Sequence, residues 1–152
     1  MAESEKIIAF SHEYFMKQAL IQAQKAKADD EVPVGAVIVQ NQRIIGRGHN
    51  QVERLNDSTA HAEMIALTAA FEHLGSKYLP DASIYITLEP CLMCSGAILW
   101  SQVKQIYYGA ADHRHGFLDA QKKVYFPKSK IKGGILEEEC SFIMKDFFKQ
   151  KR

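Results

Sequence analysis

Residues 83–108 read SIYITLEPCLMCSGAILWSQVKQIYY, and the reading of the fold starts from them. Residues 83–88 are a short β-branched and aromatic run, 91–100 have the composition of a helix, and 103–108 return to strand character. The stretch therefore predicts a β-α-β crossover joining parallel strands. Such connections are right-handed. Pro90 favours an extended Glu89 and is itself tolerated at the first position of a helix, so strand becomes helix within very few residues. Cys91 and Cys94 are thereby delivered to the carboxyl end of a parallel strand, where open α/β sheets place their ligand sites.

Cys91 and Cys94 lie three apart at a helix start, which puts both sulfurs on one face, and the positive end of the helix dipole favours the thiolates that bind metal. A Cys-x-x-Cys alone is equally compatible with a redox pair or half of a structural zinc site. Upstream, Asp57, Ser58 and Thr59 are N-cap candidates ahead of AHAEMIALTAAF (60–71), a buried alanine-rich helix closed near Leu74-Gly75. His61 and Glu63 fall in its first turns. A catalytic zinc keeps three protein ligands and one open position, whereas a structural zinc is closed by four. His61, Cys91 and Cys94 supply three, and the sequence holds no second cysteine pair.

Glu63 stands roughly 200° around an ideal helix from His61, and a frayed helix start still allows both to face one cavity. Water on such a zinc ionises near pKa ~7, and the resulting hydroxide is the expected nucleophile. An uncoordinated Glu63 would take the water proton and return it to a ring nitrogen and to departing ammonia. Read in isolation, Glu63 is better explained as a complement to the helix dipole, a common role for an early glutamate.

The rest of the chain frames this centre. With 152 residues, 47% of them hydrophobic, the chain closes one core, so a single domain over 1–152 is expected. The net charge of +1 means that any nucleic-acid footprint has to be local. The opening MAESEKIIAFSHEYF has no signal-peptide pattern, and the longest strongly apolar stretch, 32–39, is far below membrane-spanning length. Three cysteines do not make a disulfide framework. These features together imply a cytoplasmic protein with no membrane partner.

Met16, Leu20 and Ala23 mark an amphipathic helix over 13–28, ended by Asp29-Asp30. Residues 34–39 and 43–48 flank polar 40–42 as a hairpin, the first strand apolar on both faces and hence central. Cys140, Ile143, Met144, Phe147 and Phe148 form the stripe of a last helix, with Glu137 to Glu139 and Lys149, Lys151 and Arg152 complementing its dipole. Cys140 reads as a buried core thiol. His12, His49, His73, His113 and His115 lack ligand spacing, His49 standing out only because it precedes Asn50.

Residues 112–132 read as a loop with a short helix inside it. Lys122, Lys123, Lys128, Lys130 and Lys132 with no intervening acid are either a solvated face or a phosphate track. On the second reading Tyr125, Phe126, Phe147 and Phe148 would stack bases.

His61-Ala62-Glu63 followed by Pro90-Cys91-Leu92-Met93-Cys94 is an established signature of zinc nucleobase deaminases. The similarity is closer still. Glu31-Val32-Pro33-Val34-Gly35-Ala36-Val37, Thr59-Ala60-His61-Ala62-Glu63, Thr87-Leu88-Glu89-Pro90-Cys91, Met93-Cys94-Ser95-Gly96-Ala97 and the ending from Gly134-Ile135-Leu136 to Phe147-Phe148 resemble the bacterial tRNA adenosine deaminases from end to end. That resemblance implies a three-layer α/β/α cytidine deaminase-like fold with a mixed central sheet, a homodimer, and Zn2+ on His61, Cys91 and Cys94. It implies hydrolytic conversion of the wobble adenosine of a tRNA anticodon stem-loop to inosine. It also implies that Asn50 holds the flipped base through its amide and that Asp112 lies in the loop contacting a flanking nucleotide.

Two features depart from the family's pattern. Ser58 stands where proline is usual, and a loop usually written Arg-Asp-x-Lys-x-Gly here reads Ala111-Asp112-His113-Arg114-His115-Gly116. Two other functions remain on the table. A deaminase of free guanine or cytosine would share the zinc chemistry but need a closed pocket. A non-enzymatic binding protein with a structural zinc would need a fourth protein ligand.

Overall fold

A computed structural model describes residues 7–117 and 129–151. Their elements are α1 (His12–Ala28), β1 (Gly35–Gln40), β2 (Arg43–His49), α2 (Ala62–Leu74), β3 (Ser83–Leu88), α3 (Leu92–Ser101), β4 (Gln105–Ala110), β5 (Lys130–Lys132) and α4 (Glu137–Gln150). The strands form one sheet in the order β2-β1-β3-β4-β5. β1 is antiparallel to both β2 and β3, while β3, β4 and β5 run parallel, so the sheet is mixed.

Alternation along the strands separates two cores. Ile38, Ile84, Ile86 and Ile106 face α2 and α3, and Val37, Tyr85 and Tyr107 face α1 and α4. β1 contributes to both cores, which is why its sequence shows no polar face. The result is the expected three-layer α/β/α sandwich.

Close approach of helix to sheet depends on glycines in β1 and β2, of which Gly35 and Gly48 meet the helices most tightly. A Cβ at Gly35 would lie 2.0 Å from Ala19 O, and one at Gly48 would lie 2.2 Å from Ala62 O, so the backbones of α1 and α2 rest directly on β1 and β2. The second contact fixes the first turn of α2 and with it His61. The β1–β2 hairpin turns through Asn41 and Gln42 with φ 52° and 61°, the left-handed pair that a two-residue hairpin loop requires.

Several expectations are corrected. None of Asp57, Ser58 and Thr59 caps α2; the N-cap is His61, in extended conformation at φ −77° and ψ 154°. The Asp57 carboxylate instead folds onto its own turn, where Oδ1 accepts from Thr59 N (2.8 Å) and Thr59 Oγ1 (2.7 Å). Pro90 is not the first helical residue of α3, because Cys91 is the N-cap and Leu92 follows it. Residues 130–132, read as loop, pair with β4 as an edge strand too short to show a period.

Lys130 and Lys132 are exposed on that edge. Lys122, Lys123, Lys128, Tyr125 and Phe126, with most of the segment expected to hold a short helix, lie outside the described residues. On α4 the buried residues are Cys140, Ile143 and Phe147, and Phe148 is 45% exposed. No described helix is long and apolar enough to cross a membrane.

Candidate metal centre and active-site cavity

Two helix starts meet at the carboxyl end of β3. His61 and Cys91 are both N-cap residues, extended rather than helical, so the rotation of an ideal helix does not separate His61 from Glu63. Cys94 lies in the first turn of α3 and is fully buried. His61 Nδ1 is 3.7 Å from Cys91 Sγ and 3.4 Å from Cys94 Sγ, and the three ligand atoms lie within 4.8 Å of one another. Zinc bonds of about 2.0–2.1 Å to nitrogen and about 2.3 Å to sulfur in a tetrahedron require an N···S edge of about 3.6 Å. The observed distances bracket that edge, so the donor set fits zinc as it stands. Among the described residues the group has three members, and Glu63 is not one of them.

The protonation states suit the same purpose. The Cys94 thiol and the His61 ring beside Cys91 hold its thiol down at about 3. Cys94 is displaced upward by its closeness to Cys91 and by burial, and a bound cation would favour the thiolate form of both. His61 is raised, chiefly by its contact with Cys91. Burial raises the carboxyl of Glu63, which is 4% exposed. A carboxylate that binds a proton more readily than usual can collect one and pass it on.

A cavity of about 860 Å³ opens over this centre, and His61, Glu63, Cys91, Asn50 and Asp112 all line it. Asn50 is anchored by backbone N to Val34 O (3.1 Å) and by Nδ2 to Val32 O (3.2 Å). Its Oδ1 is buried with no partner among the described residues, an acceptor that costs free energy until a ligand N–H reaches it. Asp112 Oδ1 accepts from Arg114 N (3.1 Å) and His115 N (3.0 Å), so its first task is to hold its own turn. Phe147, Phe148 and Lys151 bring the last helix to the cavity mouth. A second cavity of about 540 Å³ adjoins it, with Arg114 and Lys145 at its wall and Asp112, His115 and Phe148 shared between the two.

Sequence reading overlooked Glu31. Only 2% exposed, it accepts Glu53 N (2.9 Å) at Oε1 and Arg54 N (2.8 Å) at Oε2. These are the free N–H groups at the start of a helical turn closed by Leu55 N to Gln51 O (3.0 Å). That turn forms one wall of the cavity through Val52 and Glu53. A single glutamate between a helix end and a valine-rich strand carries no periodic signal, and only the fold brings its partners to it.

Comparison with known proteins agrees with this geometry. Residues 10–110 match the cytidine and deoxycytidylate deaminase zinc-binding region, so sheet, helices and donor set define a zinc-binding hydrolytic deaminase. A tRNA-specific adenosine deaminase of Rickettsia bellii is 44% identical over 90% of this chain and 99% of its own length. One from Agrobacterium fabrum is 40% identical over 91% and 95%. A solved tRNA deaminase, which performs A-to-I editing at the wobble position, is 39% identical with a TM-score of 0.80, covering 86% of this chain and 98% of that one. The chain belongs to the cytidine and deoxycytidylate deaminase family, and within it to the group of the tRNA-specific adenosine deaminases.

Proposed function

We propose that the protein hydrolyses the wobble adenosine of a tRNA anticodon stem-loop to inosine and ammonia, with Glu63 as proton carrier and His61, Cys91 and Cys94 as zinc ligands. When bound, zinc supplies Lewis-acid activation of water at neutral pH. The chain's own groups do the rest. Glu63, buried beside the donors, carries two protons in turn: the one taken from the attacking water goes to the purine ring nitrogen and stays there in inosine, and a second, taken from the hydroxyl now on the ring carbon as its carbonyl forms, goes to the leaving amine. Asn50 holds the flipped base through its amide, and Asp112 with its turn meets the neighbouring nucleotide.

The observation that carries the substrate class is the shape of the site. The main cavity runs into a second one walled by Arg114 and Lys145, with Phe148 exposed between them. A free base needs neither the extra room nor the cations, whereas a single-stranded loop uses both for stacking and phosphates. Such an enzyme works beside tRNA in the cytoplasm, and the unpaired state of all three cysteines suits that reducing compartment.

One observation favours a second reading. A guanine deaminase from Bacillus subtilis is 40% identical over 76% of this chain, with a TM-score of 0.65. Ammonia release separates the two: the stem-loop should be turned over with an efficiency that falls steeply with salt, and salt-insensitive turnover of free guanine alone would reverse the assignment.

The homodimer is proposed on α3. Leu92 (60% exposed) and Leu99 (39%) share a helix face, and Trp100 (78%) lies beside them. Gly96, on the same face, has open space where a Cβ would be. An apolar face around a glycine suits close packing against a second copy. Trp100→Glu should shift the species in light scattering from dimer toward monomer; an unchanged mass would place the interface elsewhere.

A further inference from the structure

The turn carrying Asp112 is wrapped around a buried carboxylate that the mechanism does not use. Glu89, at the end of β3 and only 4% exposed, donates its backbone N–H to Ala110 O (2.8 Å). Its Oε1 accepts the backbone N–H of Asp112 (3.1 Å). The turn then closes on itself through Gly116 N to Asp112 O (2.8 Å), and Phe117 N donates to Pro90 O (3.0 Å). A Cβ at Gly116 would lie 2.4 Å from Glu89 Cδ and 2.5 Å from Oε1. The same Cβ would lie 2.5 Å from Asp112 O, so both the carboxylate beneath the turn and the turn's own backbone require the glycine.

Glu89 is thus continuous in sequence with Pro90-Cys91 and bonded to the turn that places Asp112 and His115 in the cavity wall. We infer that Glu89 is a positioning residue, whose carboxyl oxygen fixes the substrate-facing turn of residues 112–116 in register with the metal-binding end of β3. It does so as a hydrogen-bond acceptor for a backbone amide and takes no part in proton transfer. The side chain thereby joins the backbone contacts of Ala110 and Phe117 in setting the distance between the wall that meets the flanking nucleotide and the centre that meets the base. The functional consequence rests on the proposed RNA substrate; the mechanical one does not.

Three variants in the zinc-loaded protein test this. Glu89→Ala deletes the acceptor, Gly116→Ala pushes on the same contact from the other side, and Glu89→Gln retains an amide oxygen in the acceptor's place. Hydrogen exchange at the Asp112 amide reads the contact without substrate: it should be protected in wild type and Glu89→Gln and lose at least tenfold protection in the other two. With a wobble-adenosine stem-loop, Glu89→Ala and Gly116→Ala should raise KM about tenfold or more, with kcat changed less than threefold and zinc content unchanged. Glu89→Gln should recover most of that KM. Equal exchange in wild type and Glu89→Ala would overturn the proposal, as would a large loss of kcat in both Glu89→Gln and Glu89→Ala, which would place the carboxyl in the chemistry itself. Should wild type leave the stem-loop unedited, the substrate assignment fails while the exchange comparison still decides the role of Glu89.

Discussion

At the scale of single residues, Glu63 carries the sharpest prediction. It is buried beside the donor atoms and outside the donor group, so Glu63→Gln should keep zinc at one per chain and lower kcat by roughly 10²–10⁴. Loss of zinc together with activity would make it a ligand instead. Cys140 makes a quieter prediction. Burial pushes its thiol up to about 12 from an ordinary 9.0, a folded-state value above the unfolded one. Its contribution to stability is therefore complete below pH 9 and lost as pH rises toward 12. Between those limits, wild type should lose unfolding free energy more steeply than Cys140→Ala; parallel pH profiles would refute the burial argument.

These residues differed in how plainly the sequence showed them. His61, Cys91 and Cys94 were legible because metal-ligand chemistry admits few residue types and the spacing put them at helix starts. Asn50 and Asp112 became visible only by resemblance, since one amide or carboxylate in a loop has no period to betray it. Glu31 and Glu89 were missed for a related reason. Each is defined by backbone N–H groups more than twenty residues away.

At the scale of elements, the walls of the cavity are irregular segments held by buried carboxylates. Glu31→Ala would leave the N–H groups of Glu53 and Arg54 without their acceptor, at a cost of about 1–3 kcal/mol for each group that water does not reach. Urea unfolding should show a loss in that range, with exchange accelerated at residues 53 and 54; unchanged exchange there would show that the turn does not depend on Glu31. Helix and strand existence followed from periodicity, while the start of α2 did not. Three good capping residues precede it, yet Asp57 gives its carboxylate to Thr59, residues 57–60 close a turn of their own through Ala60 N to Asp57 O (3.1 Å), and the helix begins only after the extended His61. Capping propensity is local, and the metal centre needs His61 at the junction. β5 was hidden because three residues cannot display alternation.

At the scale of the molecule, a mixed sheet with helices on both faces brings two helix N-termini to one end of β3, and the last helix returns to the mouth of the same cavity. The parallel strand pair was readable from the β-α-β crossover and the central place of β1 from its apolar run, whereas the three-layer arrangement came from the family resemblance. The joining of the two cavities was not readable, since it depends on how α4 lies against the turn of residues 112–116. The account holds that this assembly is a zinc deaminase shaped for RNA. The most direct measurement is mass spectrometry of an anticodon stem-loop with a wobble adenosine after incubation with zinc-loaded protein. Inosine at that position, absent after chelation and restored by zinc, is the predicted result; unaltered adenosine with fully zinc-loaded protein would contradict it.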